Sequence, residues 1–255
     1  MLNNPEQSSL NAQWKALDLS TLKAVFIDAD DTLWENNLFF LQCEEWLCNE
    51  GRKLGYTDRA VVSIMNRHEM RNIRNFGYGY DCFERSLLQT LRWLCQQSGQ
   101  KQKLGPLTAK ALRWTAFLRQ HPIIFLPGVG HVLPHLGNHY KTIIVTKGDQ
   151  QDQMSKVNRS GLLKHLHGAE VVPHKYPGNY QILLDKYGLA PHEVVMIGNS
   201  PASDINNPKR LGIQTIFIPH KKTWSMEQEP ILPGYPETLV VPHFGALADL
   251  FKLPL

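Results

Sequence analysis

Long hydrophobic runs are absent from this sequence, and so is a secretory start. No apolar stretch approaches the roughly 20 residues with which a helix spans a bilayer. Residues 1–7 are polar and lack the basic segment followed by an apolar one that marks a signal peptide. We therefore expect no membrane segment, no membrane partner and a cytoplasmic location.

Cysteine is scarce, with four residues in a chain of 255. They form no Cys-x-x-Cys pair and lie in segments of helical character, at Cys43, Cys48, Cys82 and Cys95. This pattern disfavours both a disulfide framework and a cysteine-ligated zinc site. We expect all four thiols to be reduced.

Acidic residues are few in the middle of the chain, although the whole sequence carries a net charge of only +4. Residues 51–120 contain 13 Lys and Arg against 4 Asp and Glu, whereas the rest of the chain contains 14 against 19. Such polarity suits either an anionic ligand held between a basic and an acidic element, or simply solvated helix faces. No recognisable nucleic-acid-binding motif accompanies the basic segment, so we expect no nucleic-acid partner.

What the sequence does contain is an alternation of strands and helices. Apolar runs of strand length predict strands at 24–27, 142–145, 168–175, 193–198, 214–219 and 238–241. Helices are predicted between the later strands and after the last one, at 150–163, 178–187 and 246–251. Strands that alternate with helices at this spacing indicate an α/β fold with a Rossmann-like, three-layer parallel-sheet core.

Residues 37–120 interrupt this alternation. Apolar and charged residues recur there at helical spacing, and no strand is evident. The expected helix breakers are Gly51, Gly55, Gly77, Gly79, Gly99 and Gly105. We predict three to five helices in an inserted subdomain. The chain then consists of a polar leader (1–20), a core (21–36 and 121–255) and the helical insertion (37–120).

Carboxylates crowd the end of the first predicted strand. The run Ala24–Ile27 is followed by Asp28, Asp30, Asp31 and the hydroxyl of Thr32. Crowded carboxylates repel one another and lose hydration, a cost that a bound cation offsets, and strand ends are where open α/β sheets bind ligands. We therefore expect a divalent metal ion, although Asp-x-Asp also occurs in metal-dependent glycosyltransferases and in calcium loops.

Three later strands also lead into polar groups. The second reaches Thr146, the third runs towards Lys175, and the fourth ends in the loop Gly198-Asn-Ser-Pro-Ala-Ser-Asp204. With these residues in this order, the sequence resembles the haloacid dehalogenase superfamily, whose first motif is a hydrophobic strand followed by Asp-x-Asp-x-Thr, here Asp28-Ala-Asp-Asp-Thr32. The resemblance covers nearly the whole chain apart from the leader.

This resemblance implies that the insertion is an α-helical cap closing over the active site. It further implies a Mg²⁺-dependent phosphatase that hydrolyses a small soluble phosphomonoester. Asp28 would attack phosphorus to form an aspartyl-phosphate, and Asp30 would protonate the leaving oxygen and later deprotonate water. Thr146 and Lys175 would bind the phosphoryl oxygens, with Lys147 also among the substrate-binding residues.

The resemblance also suggests the metal ligands. Asp28, the backbone carbonyl of Asp30, Asn199 and Asp204 would bind Mg²⁺ through oxygen. Asn199 stands where the family's fourth motif often has aspartate; because an amide brings no charge, Mg²⁺ should bind less tightly and Asp204 should contribute more. Asp31 stands where many members have glycine, and we interpret it as a turn residue.

Asp30 favours phosphoryl transfer within the superfamily, because the resembled dehalogenases and phosphonatases lack an aspartate at this position. Arg71 and Arg74 in the basic insertion are predicted to bind substrate, since guanidinium groups match phosphate geometry; a simple interhelical turn is the alternative. Two other functions stay open, a non-catalytic regulatory or binding protein with this fold and a phosphomutase. The sequence names neither the physiological substrate nor the oligomeric state.

Overall fold

The computed structural model describes residues 17–234 and 236–254. Residues 1–16, most of the predicted leader, lie outside the described residues. The chain divides into two compact units. The first contains the chain before Asn36, Ile123–Lys147 and the chain from Gln153 onward, and the second contains Asn36–Pro122 and Gly148–Asp152.

The first unit is built on a six-stranded sheet in which every strand pair is parallel. Its strands are β1 (Ala24–Ile27), β2 (Lys141–Lys147), β3 (Gly168–Val172), β4 (Val194–Gly198), β5 (Gln214–Phe217) and β6 (Thr238–Val240). Their spatial order is β3-β2-β1-β4-β5-β6. The predicted α/β fold with a parallel Rossmann-like sheet is therefore confirmed.

Both faces of this sheet are buried, which explains why its strands are apolar runs rather than alternating patterns. Successive side chains of a strand point to opposite faces. Accordingly, Val25 and Ile27 belong to one hydrophobic core, whereas Ala24 and Phe26 belong to a second core. All four side chains are fully buried.

Five helices of the described residues accompany the strands of the first unit. They are α5 (Val129–His139), α6 (Gln150–Ser160, its first residues in the second unit), α7 (Pro177–Tyr187) and the short α8 (Asn207–Lys209) and α9 (Leu247–Leu250). The prediction of α6 as far as residue 163 is wrong, because Gly161 takes a left-handed φ of 67° and a short 3₁₀ turn, Leu162–His165, follows. The segment Pro201–Asn206, predicted as a loop, forms π-helical turns that continue into α8 (Asn207–Lys209).

The second strand is longer than predicted. It includes Thr146 and Lys147 because its pairing with β3 continues to Lys147, three residues beyond the point at which its pairing with β1 ends. These two residues therefore lie within the sheet and not in the loop after it.

The second unit is helical, with α1 (Asn37–Lys53), α2 (Asp58–Phe76), α3 (Tyr80–Gln97) and α4 (Leu104–Arg119). A hydrophobic core of its own includes Leu47, Leu87 and Leu94. Gly51 does not break α1 as predicted; a Cβ there would lie 2.4 Å from Val61 Cγ2, so the glycine permits close packing of α1 against α2. Gly77, with φ of 77°, ends α2 as expected.

All four cysteines are buried free thiols of this second unit. Within the described parts of the chain, no helix combines the length and the apolar character needed to cross a bilayer.

Candidate active site

The candidate site lies where the chain reverses its direction across the sheet. β1 has β2 on one side and β4 on the other, so the chain moves outward from β1 through β3 and then returns to the opposite side of β1. Ligands of open α/β sheets bind at such a switch point, outside the carboxyl ends of the strands. Asp28 follows β1 directly, and its backbone N–H donates to the Ile197 carbonyl of β4.

Asp28, Lys175 and Asp204 form a buried ionic cluster at this edge. The Lys175 ammonium lies 2.5 Å from Asp28 Oδ1 and 2.7 Å from Asp204 Oδ1, and all three side chains are at least nine-tenths buried. These residues come from the ends of β1 and β3 and from the π-helical turns after β4. The fold thus joins three groups that are far apart in the chain.

The cluster carries one more negative than positive charge when both carboxyl groups are ionised. Burial and the neighbouring Asp204 charge raise the pKa of Asp28 to about 7, although the Lys175 ammonium opposes this rise. Pairing with both carboxylates raises the pKa of Lys175 despite its burial, so the ammonium stays charged. A bound cation would stabilise the unpaired negative charge of this buried cluster.

The second oxygen of Asp28 faces Thr32 and Asn199. Thr32 Oγ1 lies 3.0 Å from Asp28 Oδ2 and 3.1 Å from Asn199 Oδ1. The single hydroxyl proton serves one of these acceptors at a time. The hydroxyl of the Asp-x-Asp-x-Thr motif therefore joins the nucleophile candidate to the amide of the fourth motif.

Gly198 and Ser200 hold Asp204 in place. The backbone N–H of Ser200 donates to Asp204 Oδ2 at 3.0 Å. A Cβ on Gly198 would lie 2.3 Å from the same oxygen, so only glycine leaves room for this carboxylate. This close approach accounts for the glycine that leads the motif.

The side chain of Asp30 points into a set of three donors. Trp34 Nε1 donates to its Oδ1 at 2.8 Å, whereas Lys156 Nζ (2.5 Å) and Gln153 Nε2 (3.3 Å) donate to its Oδ2. Burial by itself would raise the pKa of Asp30, but the Lys156 charge and these hydrogen bonds lower it. Asp30 is therefore ionised at neutral pH.

The predicted phosphate-binding residues of the first unit differ in their surroundings. Thr146 is buried, and its hydroxyl donates to Gln153 Oε1 at 3.1 Å, so Gln153 connects Thr146 to Asp30. Lys147 instead pairs with Glu227 and donates to Ser203 Oγ at 2.9 Å. The role of Lys147 in substrate binding stays a prediction.

Arg71 and Arg74 lie on α2 of the second unit. Both are exposed, and Arg71 donates to Gln89 of the same unit at 3.1 Å. Their position on the helix, rather than in the glycine-flanked loop after it, leaves them accessible. Substrate binding by these arginines stays a prediction.

The oxygen atoms at the sheet edge fit a hard divalent cation. Asp28, Asp204 and Asn199 have side-chain oxygens at this edge, whereas the Asp30 carboxylate binds Lys156 and Trp34. A contribution from Asp30 would therefore come from its backbone carbonyl, as the resemblance implies. Mg²⁺ prefers such oxygen ligands. The surplus negative charge of the ionic cluster supplies the electrostatic attraction.

Sequence reasoning missed the three donors to Asp30, namely Trp34, Gln153 and Lys156. Trp34 follows Asp30 by four residues, and Gln153 and Lys156 are three apart on one face of α6. That helical spacing is a signal, but it does not say which strand end the helix face meets.

Comparison with known proteins adds the family. A family model described as "Hydrolase: haloacid dehalogenase-like hydrolase" matches residues 22–212. No match was found among curated proteins.

Solved structures share the fold over nearly the whole chain. A haloacid dehalogenase-like family hydrolase from Xanthomonas campestris is 23% identical with a TM-score of 0.72, covering 90% of this chain and 96% of that one. A 2-haloacid dehalogenase from Pseudomonas syringae pv. Tomato DC3000 is 19% identical, with a TM-score of 0.58 and coverage of 91% and 98%. A predicted phosphoglycolate phosphatase from Haemophilus somnus 129pt is 15% identical, with a TM-score of 0.60 and coverage of 92% and 100%.

Proposed function

The chain belongs to the haloacid dehalogenase-like hydrolases, and within that family we propose that it is a Mg²⁺-dependent phosphatase. Its substrate is a small soluble phosphomonoester, hydrolysed through an aspartyl-phosphate on Asp28. The observation that carries this proposal is the buried cluster of Asp28, Lys175 and Asp204 at the switch point of the sheet. It combines a carboxylate nucleophile, a fixed cation and an anionic metal-binding group.

In the first step Asp28 attacks phosphorus, and the bond from phosphorus to the ester oxygen breaks. The Lys175 ammonium, already fixed by two carboxylates, stabilises the negative charge on the transferring phosphoryl group without reorganisation. The Thr146 hydroxyl, which donates to Gln153 Oε1 in this structure, can turn its single proton to the same group instead. Bound Mg²⁺ would neutralise phosphoryl charge and lower the pKa of Asp28, which favours its reactive ionised form.

In the second step water attacks phosphorus, the bond from phosphorus to the Asp28 oxygen breaks, and inorganic phosphate and the free Asp28 carboxylate result. Asp30 is the base that removes the proton of the attacking water, and its lowered pKa keeps it ionised for this role. The contact with Lys156 also reduces the protonated fraction of Asp30. Fewer molecules can therefore donate a proton to the leaving oxygen in the first step. The proposed enzyme therefore hydrolyses esters with acidic leaving groups faster than simple alkyl phosphates.

A dehalogenase is the competing activity, because solved relatives of similar fold include a 2-haloacid dehalogenase. Halide needs no proton when it leaves, so a carboxylate placed to exchange protons would be superfluous in that reaction. The buried donors around Asp30 and the anionic character of the site support phosphoryl transfer instead.

The test is a panel of sugar, nucleotide, organic and aryl phosphates together with 2-haloacids, assayed with Mg²⁺ and with EDTA. We expect EDTA-sensitive phosphate release from the wild type, none from Asp28→Asn, and no halide release. Release of halide without metal would replace the proposal with dehalogenation. Turnover that depends on a bisphosphate primer would indicate a phosphomutase.

If the wild type turns over no substrate in the panel and also binds no metallofluoride phosphate mimic in the presence of Mg²⁺, the chain is a non-catalytic binding protein. Tight binding of the mimic without turnover would instead indicate an active site whose substrate lies outside the panel. The expected compartment is the cytoplasm, since four buried free thiols suit a reducing environment.

A further inference from the structure

A group of side chains of the types that bind metal ions includes Asp31, a neighbour of Asp30 in the Asp-x-Asp-x-Thr motif. Asp31, Glu35 and His220 each offer one ligand atom, and these atoms all lie within 4.8 Å of one another. Among the described residues, no other set of three His, Cys, Asp or Glu side chains meets this criterion. None of the three belongs to the candidate active site described above.

Two buried polar atoms of this group lack a hydrogen-bond partner. They are Glu35 Oε2 and His220 Nδ1. His220 Nε2 lies 3.5 Å from Glu35 Oε2, and His220 Nδ1 lies 3.8 Å from Asp31 Oδ1, both too long for good hydrogen bonds. Buried polar atoms are nearly always satisfied, so two such atoms in one cluster point to a missing ligand.

We propose that Asp31, Glu35 and His220 bind a second divalent cation of the Zn²⁺ type, distinct from the Mg²⁺ of the active site. One imidazole nitrogen and two carboxylate oxygens leave a fourth position for water, the arrangement of a tetrahedral Zn²⁺ site. Zn²⁺ bonds of about 2.0–2.1 Å place neighbouring ligand atoms about 3.3 Å apart. The three ligand atoms, one from each residue, lie within 4.8 Å of one another, so a contraction of at most about 1.5 Å brings them to that spacing.

Zn²⁺ suits this group better than Mg²⁺, because Mg²⁺ prefers oxygen ligands and imidazole suits Zn²⁺. Burial lowers the pKa of His220 even though Glu35 opposes it, so the imidazole is neutral at pH 7 and has a free lone pair. Two carboxylates beside a neutral imidazole carry a charge of −2, which a divalent cation balances.

The proposed site is connected to the active site through Thr223. Its N–H and hydroxyl both donate to the His220 carbonyl, at 3.1 and 2.9 Å. The same hydroxyl accepts a hydrogen bond from Asn199 Nδ2 at 3.0 Å, and Asn199 faces Thr32 and Asp28. A cation on His220 therefore fixes the loop that orients Asn199.

Asp31 provides an unusually clean test. Its φ of 61° lies in the left-handed region, which glycine adopts without strain. Asp31→Gly removes a ligand and relieves both the backbone and the repulsion between Asp31 and Glu35. We expect the metal-free variant to unfold at a temperature no lower than that of the wild type, while its affinity for Zn²⁺ falls.

The experiment is calorimetric titration of chelator-treated full-length protein with Zn²⁺, in excess Mg²⁺ to occupy the active site. We expect one Zn²⁺ per chain, affinity at least about 100-fold lower in Asp31→Gly, Glu35→Gln and His220→Gln, and wild-type affinity in the control His131→Gln. Saturating Zn²⁺ should raise the unfolding temperature of the wild type by about 5–10 °C and that of Asp31→Gly little.

The variant Asp204→Asn distinguishes this site from the catalytic one. It lacks a residue of the catalytic cluster and should bind Zn²⁺ as tightly as the wild type. Absence of Zn²⁺ binding by the wild type, or equal affinity in the three ligand variants and the wild type, would overturn the proposal. Because the readout is Zn²⁺ binding and not turnover, either result leaves the proposed phosphatase activity untouched.

Discussion

Replacement of Lys156 by methionine tests how the protonation of Asp30 is controlled. The Lys156 ammonium lies 2.5 Å from Asp30 Oδ2, and its side chain is 3% exposed. An opposite charge this close lowers a carboxyl pKa by about 1–3 units, so Lys156→Met should raise the pKa of Asp30 by about that amount. The protonated fraction of Asp30 at pH 7 then increases about 10- to 1000-fold.

The assay compares kcat/KM against pH for an alkyl and an aryl phosphate. For the alkyl ester, whose leaving oxygen needs a proton, the descending limb should move about 1–3 pH units upward in Lys156→Met. For the aryl ester, which leaves without much protonation, the profile should change little. Lys156→Arg keeps the charge and serves as the matched control.

The same substitution should destabilise the fold at neutral pH. Breaking a buried ion pair costs about 3–5 kcal/mol, and the lower end applies because Asp30 keeps its contacts with Trp34 and Gln153. Asp30 has a lowered pKa in the folded state, so its pairing stabilises the protein above the unfolded pKa of about 3.9 and is lost as the pH falls below it. The difference in unfolding free energy between the wild type and Lys156→Met should therefore become smaller in acid.

If the descending limb of the pH profile for the alkyl phosphate is unchanged in Lys156→Met, this reasoning is refuted. If turnover is too slow to measure, the carbon-13 shift of the Asp30 carboxyl reports its pKa directly. A carboxyl pKa equal to that of the wild type would show that Lys156 does not control the proton.

Three further predictions concern the ionic cluster. Asp28→Asn should abolish phosphate release. In EDTA it should also raise the unfolding temperature, because it removes the surplus buried carboxylate. Residual turnover within about tenfold of wild type would exclude Asp28 as the nucleophile. Asp204→Asn should weaken Mg²⁺ binding by about 1–3 kcal/mol, and Asn199→Asp should strengthen it, as measured by calorimetry. Because the pKa of Asp28 is raised to about 7, the folded state holds this proton more tightly than the unfolded chain. Metal-free protein should therefore lose stability as the pH rises from about 4 to about 7, and Asp28→Asn should remove that slope in denaturant melts.

The parallel sheet could be predicted because its strands are local patterns. Ala24–Ile27 and Val194–Gly198 are apolar runs of strand length, and each is followed at once by polar residues. Such runs need no knowledge of their neighbours, since a strand buried on both faces is apolar wherever it lies. The boundaries were less predictable, because the pairing of Thr146 and Lys147 depends on β3 and not on their own residue types.

Several site residues could be predicted from the sequence for the same local reason. Asp28 and Asn199 stand directly after predicted strands, Asp204 follows in the same polar segment as Asn199, and the resemblance to a known family ordered them. The side chains that contact them could not be predicted from the sequence. The contact of Lys156 with Asp30 joins residues 126 positions apart, and no pattern around Lys156 indicates it.

The sequence by itself determined the alternation of strands and helices and the carboxylates at the strand ends, because both follow from residue type and short spacing. Only the tertiary structure decided which charges meet. It placed Lys175 between Asp28 and Asp204, turned Asp30 towards Lys156, and brought His220 to Asp31 and Glu35. Charge and pKa depend on distances and burial, and these arise when the crossover helices pack on the sheet and bring remote segments to one edge.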